Sequence, residues 1–422
     1  MFKSCAYRLM AQAARAALAR YKPRVIGVTG SVGKTSAKEA IAAVLAAKYS
    51  VRKSPKNYNT ELGVPLTILG ISQPPGSSLL RWFFVMRRAL ALLWGRDTSY
   101  PALLVLEMGA DKPGDIAQLL KIAPCAVGVL TAIAPAHTQF FGDLDGVARE
   151  KRRIIAHLGK HGTAVINYDN DRALEERSAT SAAIVTYGCK NGADLQASDI
   201  KTLYDATGLP TGLNFKVNVK GSSVPVFLPG HIGENSISAA LAGLAVGSIF
   251  GINAVDAAAA LRHYVPLPGR MRLVPGIKRT IIIDDSYNAS PLSMLAALKT
   301  LEQLELPPGK QRYAVLGDML ELGQYTSAAH REVGFAVAEA GVDYLITVGE
   351  AAKEIAAAAR EAGVPEHSTA SFADSGAAGK FLQEKLSASD AVLVKGSRAM
   401  HLETVVKEVM AEPLAAPQIL VA

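Results

Sequence analysis

Residues 27–36 read GVTGSVGKTS, and no other stretch narrows the fold so far. A β-branched run at 24–28 enters a glycine-rich turn and leaves it through a Lys-Thr pair into an alanine-rich segment at 36–47, which should be helical. Strand, glycine turn and helix, in that order, form the setting in which a phosphate-binding loop works. Gly27, Gly30 and Gly33 let the backbone turn tightly with its N–H groups pointing inward, and the helix adds the positive end of its dipole. Gly30, Ser31, Gly33, Lys34, Thr35 and Ser36 are thus the candidate nucleotide-binding residues. Lys34 would reach the β- and γ-phosphates, and the Thr35 hydroxyl would ligate Mg2+. The spacing is G-x-x-G-x-x-G-K-T, with Val28 where the strict motif has its first glycine. A strand-turn-helix with incidental glycines would not account for the Lys-Thr pair. The chain is expected to bind a nucleoside triphosphate.

Around this loop, strands and helices alternate nearly throughout, which predicts α/β layers with mainly parallel sheets. Buried-type strands are expected at 102–106, ending in Glu107, at 126–131, shortly before His137, and at 164–167. Weaker alternation over 190–228 suggests a small β-rich excursion, followed by an alanine-rich helix at 236–250. VPLPGRM at 265–271 marks a hinge. Beyond it, strands at 280–284, 313–316, 344–348 and 391–394 alternate with helices at 292–304, 328–340 and 351–362, forming a second doubly wound sheet. A length of 422 residues allows two or three domains. The expected division is an amphipathic helix at 1–23, a P-loop-type ATP-binding domain with a mainly parallel sheet at 24–275, and a Rossmann-like domain at 276–422.

In doubly wound sheets, ligands sit at the carboxyl ends of the strands. Glu107 and His137 both fall there. The carboxylate suits Mg2+ beside the phosphates, and the imidazole suits a second cation. In the second half, IIIDDSYNASP at 281–291 runs a strand into Asp284, Asp285, Tyr287 and Asn288, groups suited to ribose or base. GDMLELG at 317–323, with His330 after it, and LVKGSR at 393–398 are two more strand-to-turn junctions. Lys395 and Arg398 suit an anionic group such as a substrate carboxylate. Lys151, in VAREKRRII, reads by composition alone as a solvated lysine on a basic helix. No G-x-S-x-G elbow or Cys-His signature is present, which argues against a covalent acyl-enzyme.

The net charge of +8 suits anionic substrates such as nucleotides, and equally plain solubility. No interleaving of basic and aromatic residues points to nucleic acid. Cys5, Cys125 and Cys189 lie far apart without a C-x-x-C, so neither zinc nor a disulfide framework is indicated. A reducing cytoplasm is the simplest compartment. Residues 1–21 and 79–94 are both apolar and basic. Arg81, Arg87 and Arg88 interrupt the second, which is shorter than the roughly 20 residues of a spanning helix. Each is read as a helix that packs on its own domain or touches a membrane surface, and packing is the favoured reading.

Taken in order, the matching segments begin with GVTGSVGKTS, NYNTELGVPLTIL (57–69), EMGADKPGDI (107–116), AHTQFFGDLDGVAREK (136–151) and INYDND (166–171). PLPGRM (266–271), DDSYNASP (284–291), VLGDMLELG (315–323) and LVKGSR (393–398) complete the series. With these, the chain resembles the Mur ligases, the family of ATP-dependent amide-forming enzymes of peptidoglycan synthesis, and within it the dipeptide-adding branch. The resemblance implies ATP and Mg2+, and addition of D-alanyl-D-alanine to a UDP-muramyl-tripeptide through an acyl phosphate. It implies phosphate and Mg2+ binding by Lys34 and Thr35, metal binding by Glu107 and His137, and a carbamylated, metal-bridging Lys151. Lys34, Lys151 and His330 would be catalytic. Asn235, Arg270, Asp285, Tyr287 and Asn288 would complete the nucleotide site, and Asn59, Thr60, Lys395, Ser397 and Arg398 would bind the other substrates. Members carry an N-terminal domain that grips the UDP-sugar. Here about 23 residues precede the loop strand, so that domain is expected to be lacking. Two alternatives stay open: the same chemistry on another carboxylate, such as a lipid-linked precursor or a peptide polymer, and an ATP-binding scaffold without turnover. A monomer is expected.

Overall fold

The computed structural model describes residues 2–421 apart from 56–57, 74–77, 96, 136–137 and 220. The buried-type runs line up side by side. β1 (Arg24–Thr29), β2 (Val51–Lys53), β3 (Leu103–Glu107), β4 (Val127–Leu130), β5 (Thr163–Asn167) and β6 (Ala183–Gly188) are parallel neighbours. β7 (Leu195–Tyr204), β8 (Pro210–Val219) and β9 (Ser222–Pro229) follow as an antiparallel meander. Together they make one nine-stranded sheet in the order β2-β3-β1-β4-β5-β6-β7-β8-β9. The β-rich excursion read at 190–228 therefore extends the main sheet.

Alternation along the strands sends residues to two cores. Leu103 and Val105 join the core built with α2 (Lys34–Ala46) and the helix Glu234–Ile249, while Leu104 and Leu106 face the opposite one. Helix Glu234–Ile249 approaches α2 so closely that a Cβ on Gly247 would come 2.6 Å from Val44 Cγ1. The opposite face is covered by α1 (Phe2–Tyr21), α3 (Gly63–Leu69), α4 (Leu79–Trp94) and α5 (Asp115–Ile122). α1 buries Met10, Ala13, Ala14 and Ala17, one stripe at helical spacing, against its own domain.

The second sheet runs β10-β11-β15-β12-β13-β14. Its strands are β10 (Arg272–Pro275), β11 (Ile281–Asp285), β12 (Arg312–Gly317), β13 (Tyr344–Val348), β14 (Thr369–Phe372) and β15 (Ala391–Lys395). β10 is antiparallel to β11, so this sheet begins before position 276. β14 and the helix Ser375–Lys385 escaped the sequence reading, because a four-residue, half-exposed edge strand has little pattern to show.

The segment read as a hinge is only partly free. Gly269 donates to Asp284 at 3.0 Å, Tyr287 donates to the Gly269 carbonyl at 3.0 Å, and Met271 donates to Asp285 at 3.1 Å. Residues 269–271 thus belong mechanically to the second half, and any pivot lies at 265–268.

Candidate active site

β1 lies between β3 and β4, so chain connections leave it on both sides and a crevice opens at its carboxyl end. The glycine loop sits in that crevice. Gly33 adopts φ +83°, a left-handed conformation that glycine reaches without strain, and starts α2 with no capping side chain. The first amides of α2 therefore stay available to an anion. Gly30 lies so close to β4's exit that a Cβ would collide with the Thr131 hydroxyl, which itself donates to the Val32 carbonyl at 2.6 Å. Ser31 is fixed by donation to the Ala134 carbonyl at 2.9 Å. Lys34 folds over the loop, its ammonium donating to the Gly30 and Ser31 carbonyls at 2.7 and 3.2 Å. Burial lowers its pKa, opposed by Glu107 and assisted by Arg270. Thr35 is buried at the helix start.

Glu107 closes β3. Asn59 donates to its Oε1 at 3.1 Å, whereas its Oε2 is buried and accepts no hydrogen bond. The Nζ of Lys38 stands 3.9 Å from that oxygen. Lys38 is fully buried and donates to the Ser54 carbonyl at 2.7 Å. The sequence reading passed over it, although it lies one helical turn beyond Lys34. An uncommitted carboxylate oxygen beside a phosphate loop fits Mg2+, which typically takes one or two carboxylates and completes its shell with phosphate and water. No cluster of three or more acidic, His or Cys ligands exists among the described residues. His137 lies outside the described residues.

Lys151 ends α6 (Leu144–Lys151) and is 2% exposed, not solvated as composition alone suggested. Burial, with Lys34 as the next cause, brings its pKa down to about 7. Near neutrality a large fraction is therefore the free amine, the form that reacts with carbon dioxide. Its neighbour Glu150 turns away to accept from Gly114 and Ile116 at 2.8 and 2.7 Å, capping α5. Arg153 is bonded to Glu150 at 3.1 Å.

The second half supplies the facing wall. Lys395 donates to Asp285 at 2.6 Å and to the Asn288 carbonyl at 2.8 Å, so one of its three N–H groups remains for the cleft. The Arg270 guanidinium stacks on Tyr287 at 4.3 Å. Ser397 accepts from the Leu320 amide at 2.9 Å, and Arg398 pairs with Glu403 at 2.8 Å. Asn235 stands in the first turn of the helix Glu234–Ile249. Beside it, His231 packs at a tilt of 33° on Tyr264 with centroids 4.3 Å apart, and burial pushes its pKa down to about 4.

Loop and turns face one another across a single cleft of about 1150 Å³. On its wall are Ser31, Gly33, Lys34, Thr35 and Ser36, then Asn59, Thr60 and Glu107 from the first half. Asn235, Arg270, Asp285, Tyr287 and Asn288 line it too, as do Lys395, Ser397 and Arg398. Gly30, Lys151 and His330 are not on the wall. For His330 this is a correction. It is fully buried, accepts from the Met319 amide through Nε2 at 2.9 Å, and engages the Thr326 carbonyl through Nδ1 at 2.7 Å. Both ring nitrogens are engaged in holding the turn after β12, so its place in this structure is to position that turn. Asp111, Lys112 and Tyr7 also line the cleft and were not singled out. The first two lay inside the EMGADKPGDI segment, whereas nothing local marks Tyr7.

Comparison with known proteins gives the following likenesses. The Mur ligase middle domain matches residues 28–75 and 91–247, and the Mur ligase glutamate ligase domain matches 269–398. The UDP-N-acetylmuramoyl-tripeptide–D-alanyl-D-alanine ligase of Bacillus subtilis is 33% identical over 403 residues, 96% of this chain and 79% of that protein. The ligase of the same name from Escherichia coli is 32% identical, over 91% of this chain and 76% of that protein. The crystal structure of MurF ligase from Thermotoga maritima in complex with ADP superposes with a TM-score of 0.77 at 29% identity, covering 95% of this chain and 83% of that one.

Proposed function

The chain belongs to the Mur ligase family and is an ATP-dependent ligase, and from that premise we propose that it joins D-alanyl-D-alanine to a UDP-muramyl-tripeptide. One observation carries this reading: the phosphate loop and the turns after β11 and β15 converge on one cleft. The name shared by the Bacillus subtilis and Escherichia coli relatives supports the choice of substrates.

In this reading residues 24–264 bind ATP and residues 269–422 close over the acceptor and the amine. The acceptor's terminal carboxylate oxygen attacks the γ-phosphorus, the bond to the β–γ bridging oxygen breaks, and ADP leaves. The dipeptide amine then attacks the acyl carbon, loses its proton to solvent or base, and expels phosphate. Lys34 and the first amides of α2 neutralise charge that builds on the transferring phosphoryl group. Mg2+ would supply further charge neutralisation, held by Thr35 and Glu107, with His137 and a carbamylated Lys151 completing its surroundings. Arg270 and Tyr287, with Asn235, Asp285 and Asn288, would frame the nucleotide, while Asn59, Thr60, Ser397, Arg398 and the last donor of Lys395 would orient the other substrates. Closure about 265–268 would keep water from the acyl phosphate. The protein would work as a cytoplasmic monomer.

The test is a phosphate-release screen of UDP-muramyl-peptides against amino acids and dipeptides. Turnover should peak with the UDP-muramyl-tripeptide and D-alanyl-D-alanine. Turnover only with other acceptors would replace this substrate assignment.

A further inference from the structure

α4 has two faces of different fate. Val85, Ala89 and Leu92 are buried in the domain core. On the other side Leu80, Phe83, Phe84, Leu90 and Trp94 stand 65, 61, 54, 39 and 80% exposed. At 100° per residue these five fall within one stripe about 120° wide, opposite the buried set. Exposed Arg87 lies inside the stripe and exposed Arg81 about 60° beyond its edge, while Arg88 is paired with Asp97 at 2.8 Å. Scattered apolar residues are ordinary on a surface, but five large ones on one helix face are not.

We propose that this face of α4 docks on an anionic lipid surface, lying in its plane. The first reason is charge complementarity. The helix LLRWFFVMRRALALLW carries three arginines and no acidic residue. Lipid phosphates accept the guanidinium groups while Phe83, Phe84 and Trp94 enter the headgroup boundary, where aromatic rings are favoured. A second copy fits less well, because a two-fold contact centred on the exposed stripe of α4 would bring Arg87 against its own copy. The second reason is size. A 16-residue helix is about 24 Å long, too short to cross a hydrocarbon core of about 30 Å. Its one face is also small beside the roughly 800 Å² that each partner gives a stable protein interface. No helix among the described residues is long and apolar enough to span a membrane. The third reason is that the family match breaks off at residue 75 and resumes at 91, so most of α4 lies outside the part of the domain shared with the family model.

Docking would also orient the enzyme. Arg20 of α1 donates to the Leu93 and Gly95 carbonyls at 2.9 Å, and the Tyr21 hydroxyl donates to Leu92 at 2.9 Å. The lipid-facing helix is thereby tied to the catalytic domain.

The chain's two tryptophans, Trp82 and Trp94, are both on α4, so the fluorescence of the intact protein reports this helix. Full-length protein is mixed with vesicles of phosphatidylglycerol and phosphatidylcholine, or of phosphatidylcholine alone, and followed by flotation and by Trp emission in a Trp82→Phe variant. Binding and a blue shift of Trp94 are expected with the anionic vesicles, weakened by high salt. Phe83→Ser with Phe84→Ser should lower binding about tenfold or more and leave phosphate release in solution unchanged. Arg81→Glu with Arg87→Glu should remove the preference for anionic lipid. No binding to anionic vesicles, or binding untouched by the Phe83/Phe84 change, overturns the proposal. So does a concentration-dependent rise in mass by sedimentation that the same change abolishes, since the face would then join two copies.

Discussion

Lys395 stands opposite Asp285 in the register of two adjacent parallel strands, and its ammonium donates to that carboxylate at 2.6 Å with both groups buried. The pair is built into the floor of the cleft where β11 and β15 both end. Removing one partner would strand a buried charge.

Asp285→Ala should therefore destabilise the protein by about 3 kcal/mol, read from the urea midpoint at unchanged m-value. Replacing both partners, Asp285→Leu with Lys395→Met, should regain much of that stability and still fail to ligate. A single variant as stable as the parent would show that the pair holds nothing.

Lys34→Ala should lower kcat/KM by a factor on the order of a thousand, because its charge serves the transferring phosphoryl group. Its contacts in the fold are two loop carbonyls that water can satisfy, so the circular dichroism spectrum and urea midpoint should barely move. Turnover like the parent's would remove the loop from the chemistry.

Glu107→Gln leaves Asn59 an acceptor but removes the anionic oxygen that has no hydrogen bond. In Mg2+ titrations of ATP-dependent phosphate release, the midpoint should rise about tenfold or more. Without Mg2+ the variant should be at least as stable as the parent, since an under-satisfied buried charge is gone. An unchanged Mg2+ midpoint would take Glu107 out of the cation's surroundings.

The effect of pH enters through Lys151, whose pKa falls from 10.5 to about 7 on folding. Between those values the unfolded chain binds the proton and the folded one does not, so this group makes stability rise with pH from about 7 towards 10.5. Lys151→Met should lack that slope in urea titrations at several pH values. The same free amine should take up 13C-labelled bicarbonate as a carbamate, increasingly as pH passes 7. Lys151→Ala should be inactive and partly rescued by small carboxylates. An active alanine variant together with no carbamate signal would exclude the modification.

The phosphate loop was legible because its information is local. Gly30 and Gly33 occupy conformations that few other residues accept, and a Lys-Thr pair opening a helix has little else to do there. The parallel strands were equally plain, since burial on both faces leaves unbroken apolar runs such as 103–106. Edge strands and the meander's attachment were less so, because strand neighbours are chosen by segments far apart in the chain.

By itself, then, the sequence determined the α/β architecture, the loop at 27–36 and the order of the family's segments. Tertiary structure alone decided what surrounds each chemical group. It buried Lys151 and made its amine available, set Lys38 beside Glu107, joined Lys395 to Asp285, and closed His330 into a turn. In α4 the helical period was local, but which stripe the domain would cover was not. The physical reason is the same throughout. Backbone conformation answers to neighbouring residues, whereas desolvation and charge pairing depend on groups that only the folded chain brings within a few ångströms.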